Sequence, residues 1–141
     1  MTRTYVDAGV LIAAATGRDP MLQRAALAVL GKAGRDFVSS AFVRLEVMPK
    51  AVYQRRAKEV AFYQTFFAAV AGWAEPVDPL IADAQAQAER SGLSALDALH
   101  VAAAIALNAD ELVTTERLGT PIHRVTGVKV VTIQPTTTPV S

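Results

Sequence analysis

The amino-acid sequence predicts an α/β protein in which helices cover both faces of a central, mostly parallel sheet of about five short strands. Short strand-forming segments alternate with helical segments along the chain, as expected when parallel strands are joined by crossover helices. The 141 residues suffice for one domain with a substantial core. We expect a single domain over residues 1–135 and a frayed, Thr/Pro-rich tail over residues 136–141.

The N-terminal half of the chain carries clear helix starts and stops. Asp19 with Pro20, and later Ser40, predict helix N-termini, because their side chains can accept hydrogen bonds from first-turn amides. Pro49 is expected to end the helix that Ser40 begins. The predicted elements are a strand at 4–7, helices at 8–15 and 21–30, a strand at 37–39 and a helix at 41–48.

The C-terminal half is predicted to contain the longest helix, at 51–73, and a buried helix, at 94–107, that is small and apolar nearly all round. Pro76 suggests that the third strand lies at an edge of the sheet, because proline cannot donate to the ladder. The remaining predicted elements are a strand at 75–77, a helix at 79–91 and strands at 111–114 and 128–133.

Composition narrows the possible functions. The chain has 52% hydrophobic residues and a net charge of +1, so binding of nucleic acid would need a local basic patch. It has no cysteine, which excludes thiolate metal sites and a cysteine nucleophile and suits a reducing cytoplasm. No apolar run is long enough to cross a bilayer, and Asp7 interrupts the apolar segment that could resemble a secretion signal.

Four carboxylates are predicted to meet at one edge of the sheet. Asp7 ends the first strand and Glu116 follows the fourth, and the carboxyl ends of parallel strands share the edge where α/β proteins bind ligands. Asp97 lies in the first turn of the buried helix, and Glu46 lies on the inward side of its own helix. A glutamate in that position needs a group that neutralises it.

Each acid also has a purely structural interpretation. Asp7 can cap the first helix, and Asp97 with Ser94 is close to a capping box. Glu46 can extend to solvent, and Glu116 can be an ordinary loop acid. Four separate structural explanations do not account for the predicted placement of all four side chains near one edge of the sheet.

Clustered carboxylates raise one another's pKa values, and a divalent cation relieves that repulsion. Oxygen ligands without cysteine or a histidine pair favour Mg²⁺ or Mn²⁺ over zinc. Such an ion activates water and stabilises a phosphoryl transition state, so the cluster indicates metal-dependent phosphodiester hydrolysis. Asp110 and Glu111 begin the fourth strand and are expected at the opposite edge, outside this site.

Four motifs occur in a fixed order: Tyr5-Val6-Asp7 with Val10-Leu11-Ile12, Ser39-Ser40 with Glu46, Leu93-Ser94 through Asp97 and His100 to Ala102, and Leu112-Val113-Thr114-Thr115-Glu116. Together they resemble the PIN-domain ribonucleases, particularly the VapC-type toxins of bacterial toxin–antitoxin pairs. The resemblance covers Thr4 to Ile133.

The resemblance implies a three-layer α/β/α PIN-like fold and an acidic pocket holding Mg²⁺, with Mn²⁺ as a substitute. It implies a toxin that hydrolyses RNA with a metal-activated water, a cognate antitoxin encoded beside it, and a homodimer. Asp7, Glu46 and Asp97 correspond to the family's catalytic metal ligands. Glu116 occupies a fourth position that is commonly Asp, and the supporting residues are Thr114 and Thr115.

Several residues remain open to interpretation. Arg44 and Arg117 lie within two residues of predicted ligands and are candidate RNA phosphate contacts, or solvated surface charges. His100 is expected to be a hydrogen-bonded core histidine, and His123 is alone in a loop. Weaker candidates for contacts with RNA phosphates are Lys50, Arg55, Arg56 and Arg124. A separate set of aromatic residues could form either a protein–protein interface or ordinary core: Tyr53, Tyr63, Phe66, Phe67 and Trp73.

Other classes fit less well. A haloacid dehalogenase-type phosphotransferase needs a second acid two positions after Asp7, where this chain has Gly9. A response-regulator receiver needs an acidic pair near the first strand, and a dinucleotide-binding domain needs a glycine-rich turn after a strand. This sequence has neither feature. The serious alternative is a non-catalytic RNA- or protein-binding module on a PIN-like fold.

Overall fold

The protein, in a computed structural model that describes residues 1–135, contains a five-stranded, fully parallel sheet in the order β3-β2-β1-β4-β5. The three-layer α/β/α prediction is confirmed. The strands are β1 (Thr2–Val6), β2 (Arg35–Ser39), β3 (Gly72–Trp73), β4 (Glu111–Thr114) and β5 (Lys129–Thr132). The α-helices of this region are α1 (Ala8–Thr16), α2 (Pro20–Leu30), α3 (Ala41–Tyr53), α4 (Ala57–Ala69), α5 (Val77–Ser91) and α6 (Ala95–Ala106).

The order of the strands reverses between β1 and β4. The chain moves outward from β1 through β2 to β3, then returns to the other side of β1 for β4 and β5. Helix α1 packs against α2, α3 and α4, whereas α5 packs mainly against α6, as right-handed crossovers in opposite directions require. The crevice outside the carboxyl ends of β1 and β4 is therefore the expected place for a ligand.

Local sequence explains most helix ends. The Asp19 carboxylate accepts hydrogen bonds from the backbone amides at the start of α2, and the Ser40 hydroxyl accepts one from Val43 at the start of α3. Gly17 and Gly92 follow α1 and α5 with φ values of +62° and +70°, which glycine adopts most readily. The predicted helix starts at Asp19 and Ser40 are confirmed.

Pro49 does not end its helix, and this prediction was wrong. Helix α3 continues through Pro49 to Tyr53. A proline inside a helix leaves the carbonyl four residues earlier without its amide partner, and here that carbonyl belongs to Leu45. Leu45 is 69% exposed and Pro49 is exposed as well, so water can bind the carbonyl on this face.

The predicted long helix at 51–73 was also wrong. Helix α3 ends at Tyr53, Arg55 has a φ of +55°, and α4 begins at Ala57. The Arg56 backbone amide donates to the Ala51 carbonyl at 3.0 Å. That bond closes the turn between α3 and α4.

The third strand lies at an edge of the sheet, as predicted, but at Gly72–Trp73 rather than 75–77. Trp73 is half-buried and its ring lies 5.6 Å from that of Phe67, whereas residues 75–77 are exposed. Burial of the tryptophan therefore places the pairing segment earlier. Helix α5 accordingly begins at Val77, before Pro79.

The aromatic residues of the α3–α4 region belong mostly to the core. Tyr63 and Phe67 are buried, and Phe66 and Trp73 are half-buried against the core. Tyr53 is 88% exposed. Ordinary core packing thus accounts for most of this aromatic surface, and the predicted homodimer interface stays a prediction.

In the described region, no helix is both long and apolar enough to span a membrane. The predicted frayed tail at 136–141 lies outside the described residues.

Candidate active site

A cleft of about 330 Å³ lies at the carboxyl edge of the sheet, beside the ends of β1 and β4. Side chains from both strand ends and from α3 and α6 line it. The structure thus brings the predicted acids into one cleft. The ionisable residues that line it are Asp7, Glu46, Asp97, His100 and Glu116.

Asp7 is held by two hydrogen bonds. Its Oδ1 accepts from the Val10 backbone amide at 3.1 Å, and its Oδ2 accepts from the Thr114 hydroxyl at 2.5 Å. The pKa of Asp7 is raised from 3.8 to about 6. Burial is the main cause and the charge of Asp97 adds to it, while the hydrogen bonds from Thr114 and Val10 and the charge of His100 lower the pKa. Asp7 therefore caps α1, as the structural alternative proposed, and also presents a carboxylate whose charge is poorly compensated.

Thr114 couples Asp7 to Glu116. Its hydroxyl donates to Asp7 and accepts from the Glu116 backbone amide at 3.0 Å. His123, in the short 3₁₀ helix Pro121–Arg124, donates from Nε2 to the Glu116 carbonyl at 3.0 Å. The backbone at Glu116 is thus fixed from both sides.

Glu46 is held by a buried chain of hydrogen bonds. Its Oε1 accepts from His100 Nε2 at 2.5 Å, and His100 Nδ1 lies 2.7 Å from the Tyr5 hydroxyl, which is 2.8 Å from Ser40 Oγ. Burial raises the pKa of Tyr5, so its hydroxyl keeps its proton and can hydrogen-bond with both His100 and Ser40. His100 is buried, as expected, and it also orients Glu46.

Asp97 leaves its carboxylate free to face the cleft. The Ser94 hydroxyl accepts from the Asp97 backbone amide at 3.3 Å and so caps α6. The reciprocal bond of a capping box is absent among residues 1–135, where the Asp97 side chain accepts no hydrogen bond. Local capping alone does not account for this acid.

The donor chemistry of the cleft suits a hard cation, but the present side-chain positions do not assemble a binding shell. In the part of the chain that is described, no three Asp, Glu or His side chains are placed to hold a metal ion together. Asp7 and Glu46 are instead engaged by Thr114 and His100. Carboxylate oxygens are nonetheless the ligands that Mg²⁺ and Mn²⁺ prefer, and a cation would offset the burial cost at Asp7.

Thr115 forms another part of the cleft wall, next to Gly9. A β-carbon at Gly9 would overlap the Thr115 hydroxyl. Glycine at this position therefore allows α1 to approach the end of β4 closely. Gly9 is also the position where a haloacid dehalogenase-type enzyme would need its second acid.

The two arginines predicted to contact phosphate do not line the cleft. The Arg44 guanidinium lies 4.4 Å from the Trp73 ring centroid and 5.2 Å from that of Phe67, a cation–π arrangement. Arg117 is exposed beyond Glu116. Their proposed contacts with RNA stay predictions.

Asp110 and Glu111 lie at the opposite edge, as expected. Asp110 accepts from the Arg3 backbone amide at 2.7 Å, and Glu111 pairs with Arg35 at 3.2 Å. These acids serve the pairing of β1 with its neighbours rather than the cleft.

The model of the PIN domain family matches residues 4–117, a segment that contains all four cleft carboxylates. The chain belongs to the PIN domain family. No curated protein sequence matches it.

Solved structures share the fold of this PIN domain at low sequence identity. One is the toxin–antitoxin complex from Klebsiella pneumoniae, with a TM-score of 0.71, 20% identity and coverage of 93% of this chain and 98% of that chain. A second is VapBC2 from Rickettsia felis bound to a promoter DNA fragment, with a TM-score of 0.69, 15% identity and coverage of 93% of this chain and 98% of that chain. A third is DNA-bound VapBC from Salmonella typhimurium, with a TM-score of 0.69, 14% identity and coverage of 95% of this chain and 100% of that chain.

Sequence reasoning missed two histidines of this PIN domain as positioning residues. His100 lies three residues after Asp97 in α6, and that spacing on one helix face was the available sign of its place in the cleft. His123 had no comparable sign, because its bond to the Glu116 carbonyl depends on how the connection to β5 folds back.

Proposed function

We propose that this PIN domain is a metal-dependent endoribonuclease and the toxin of a toxin–antitoxin pair. The observation that carries the proposal is the convergence of four carboxylates from separate elements in one cleft at the strand-order reversal. Asp7, Glu46, Asp97 and Glu116 would hold Mg²⁺ or Mn²⁺. Such an ion, when bound, lowers the pKa of water and stabilises charge on a phosphoryl group.

The chain itself orients the acids and leaves their charge unbalanced. Thr114 fixes Asp7 and the Glu116 backbone, and His100 fixes Glu46. Among the described residues, no Lys or Arg side chain lines the cleft. An RNA phosphate could therefore approach these carboxylates only with a cation between them, which supports metal-dependent hydrolysis over a protein nucleophile.

The solved relatives motivate the partner assignments. The Klebsiella structure is a toxin–antitoxin complex, the Rickettsia and Salmonella structures are VapBC bound to DNA, and all three align with nearly the whole of this chain. We extend this to a cognate antitoxin, a homodimeric toxin and an RNA substrate in the cytoplasm.

The rival function is a non-catalytic RNA- or protein-binding module on the same fold. It is favoured by the lack, within residues 1–135, of three acidic or histidine side chains placed to share an ion. In that case the hydrogen bonds of Asp7 and Glu46 would be purely structural.

Cleavage of total RNA by the purified, antitoxin-free protein tests the proposal. We expect discrete fragments with Mg²⁺ or Mn²⁺, none with EDTA, and none with Asp7→Asn. Asp83→Asn is a matched control, because Asp83 is an exposed acid on α5 away from the cleft. Cleavage that persists in EDTA, or equal cleavage by wild type and Asp7→Asn, would contradict the proposal. A folded wild type that cleaves no RNA would favour the binding module.

A further inference from the structure

A second, smaller cavity of about 60 Å³ adjoins the acidic cleft. It lies between α1, α3 and α4, and Ile12 and Glu46 line both the cavity and the cleft. By the space that one water needs, it accommodates about four water-sized groups. A phosphate group, with its four oxygens, has this scale.

The cavity combines two cations with carboxylates that already have partners. Arg18 and Lys50 line it, and neither has a carboxylate oxygen within ion-pair distance in the described part of the chain. The two acids in its wall are engaged elsewhere, because Glu46 bonds His100 and Glu59 pairs with Arg56 at 3.2 Å. Arg18 and Lys50 are therefore the charged side chains of the cavity wall that have no side-chain partner among the described residues.

The remaining polar groups can donate hydrogen bonds to an anion. Gln54 and Thr16 line the cavity, together with the hydroxyl-bearing Tyr63. Burial, reinforced by Glu59, raises the pKa of Tyr63 to about 12, although Arg18 and Arg56 oppose this shift. The phenol thus keeps its proton at neutral pH.

We propose that the cavity bounded by Arg18 and Lys50 binds a backbone phosphate of the RNA next to the phosphate that lies in the acidic cleft. This inference rests on the proposed function, because it takes RNA as the substrate. The shared wall at Ile12 and Glu46 lets one strand extend from the cleft into the cavity. Contacts of this kind position the backbone without reading bases, and they supply the cations that the cleft itself lacks.

The test is the salt dependence of RNA binding in an Asp7→Asn background with Mg²⁺, measured with a short fluorescent single-stranded RNA of mixed sequence. Adding Arg18→Ala and Lys50→Ala should raise Kd about tenfold and flatten the slope of log affinity against log salt by roughly 0.7, the value for one lost phosphate contact on a single strand. Arg18→Lys with Lys50→Arg, which retains both charges, should preserve most of the slope.

Lys32→Ala with Lys129→Ala is the matched control. Both lysines are exposed, and they lie near the starts of β2 and β5, at the edge opposite the cleft. This pair removes the same charge and should leave Kd and slope near those of the Asp7→Asn parent. Thermal melting checks that every variant is folded.

Three results would overturn the inference: no binding by the parent, an unchanged Kd and slope in the Arg18/Lys50 double variant, or an equal loss in the Lys32/Lys129 control. Failure of the nuclease proposal is seen separately. Wild type that does not cleave RNA, combined with binding that depends on Arg18 and Lys50, would reject the catalytic assignment and retain the phosphate site.

Discussion

At the scale of single residues, the buried carboxylate of Asp7 lowers the stability of the fold at neutral pH, although the proposed function needs it. Its pKa is raised from 3.8 to about 6 in the folded state, so between these pH values the folded chain binds more protons than the unfolded chain. The stability of the fold should therefore fall as pH rises from about 4 to about 6, and the penalty is fully present above that range. A residue that destabilises the fold at neutral pH is typical of a functional site.

We expect Asp7→Asn to stabilise the metal-free protein at neutral pH by about 2–3 kcal/mol, because it removes a buried charge while its amide oxygen can still cap α1. Urea unfolding in EDTA across pH measures this difference. The gain should disappear near pH 4, where both proteins carry a neutral group. An Asp7→Asn protein that is no more stable than wild type at neutral pH would contradict this account of Asp7.

His100 should act on activity through Glu46 rather than through stability alone. His100→Phe removes the partner of Glu46 and leaves the Tyr5 hydroxyl without one of its hydrogen-bond partners, which should cost about 1–3 kcal/mol of stability. Adding Tyr5→Phe removes the hydroxyl that has lost this partner and should recover part of that stability but none of the lost RNA cleavage. If activity returned together with stability, His100 would have only a structural role.

The acids of the site could be predicted from sequence, whereas their supports could not. Asp7, Asp97 and Glu116 lie at strand ends or in a first helical turn, positions that sequence pattern identifies. The bonds from His100 to Glu46 and from His123 to Glu116 depend on tertiary distances. A single sequence carries no direct sign of such distances.

At the scale of elements, capping residues predicted helix ends better than proline did. Asp19, Ser40 and Gly92 bound their helices through local hydrogen bonds or a left-handed backbone. Pro49 is tolerated inside α3 because it lies on an exposed face. The break at 54–56 went unrecognised because no glycine or proline occurs there and the apolar pattern continues across it.

Helix α3 should gain stability from Pro49→Ala. Alanine supplies an amide that can bond the Leu45 carbonyl and removes a residue that disfavours helix interiors, a gain of about 1–3 kcal/mol. Urea unfolding at neutral pH measures the effect. Ala61→Gly, at an exposed position inside α4, should lower stability by about 1 kcal/mol and serves as a calibration. Unchanged or lower stability in Pro49→Ala would mean that α3 is adapted to its proline.

At the scale of the whole molecule, the site follows from topology. Strand order 3-2-1-4-5 places the ends of β1 and β4 side by side at the reversal, and Asp7 and Glu116 follow those two strands. The alternation of strands and helices predicted the parallel sheet, and Pro76 suggested the edge position of β3. The sequence did not specify the strand order, because that order depends on pairing between distant segments.

We propose that the four cleft carboxylates together form one cation site. Calorimetric titration of Mn²⁺ into the metal-free protein tests it most directly, with Asp7→Asn and Asp97→Asn as site variants and Asp83→Asn as the control. We expect Mn²⁺ binding by wild type and by Asp83→Asn, and at least about tenfold weaker binding by each site variant. Equal Mn²⁺ binding by all four proteins, or none by wild type, would contradict it.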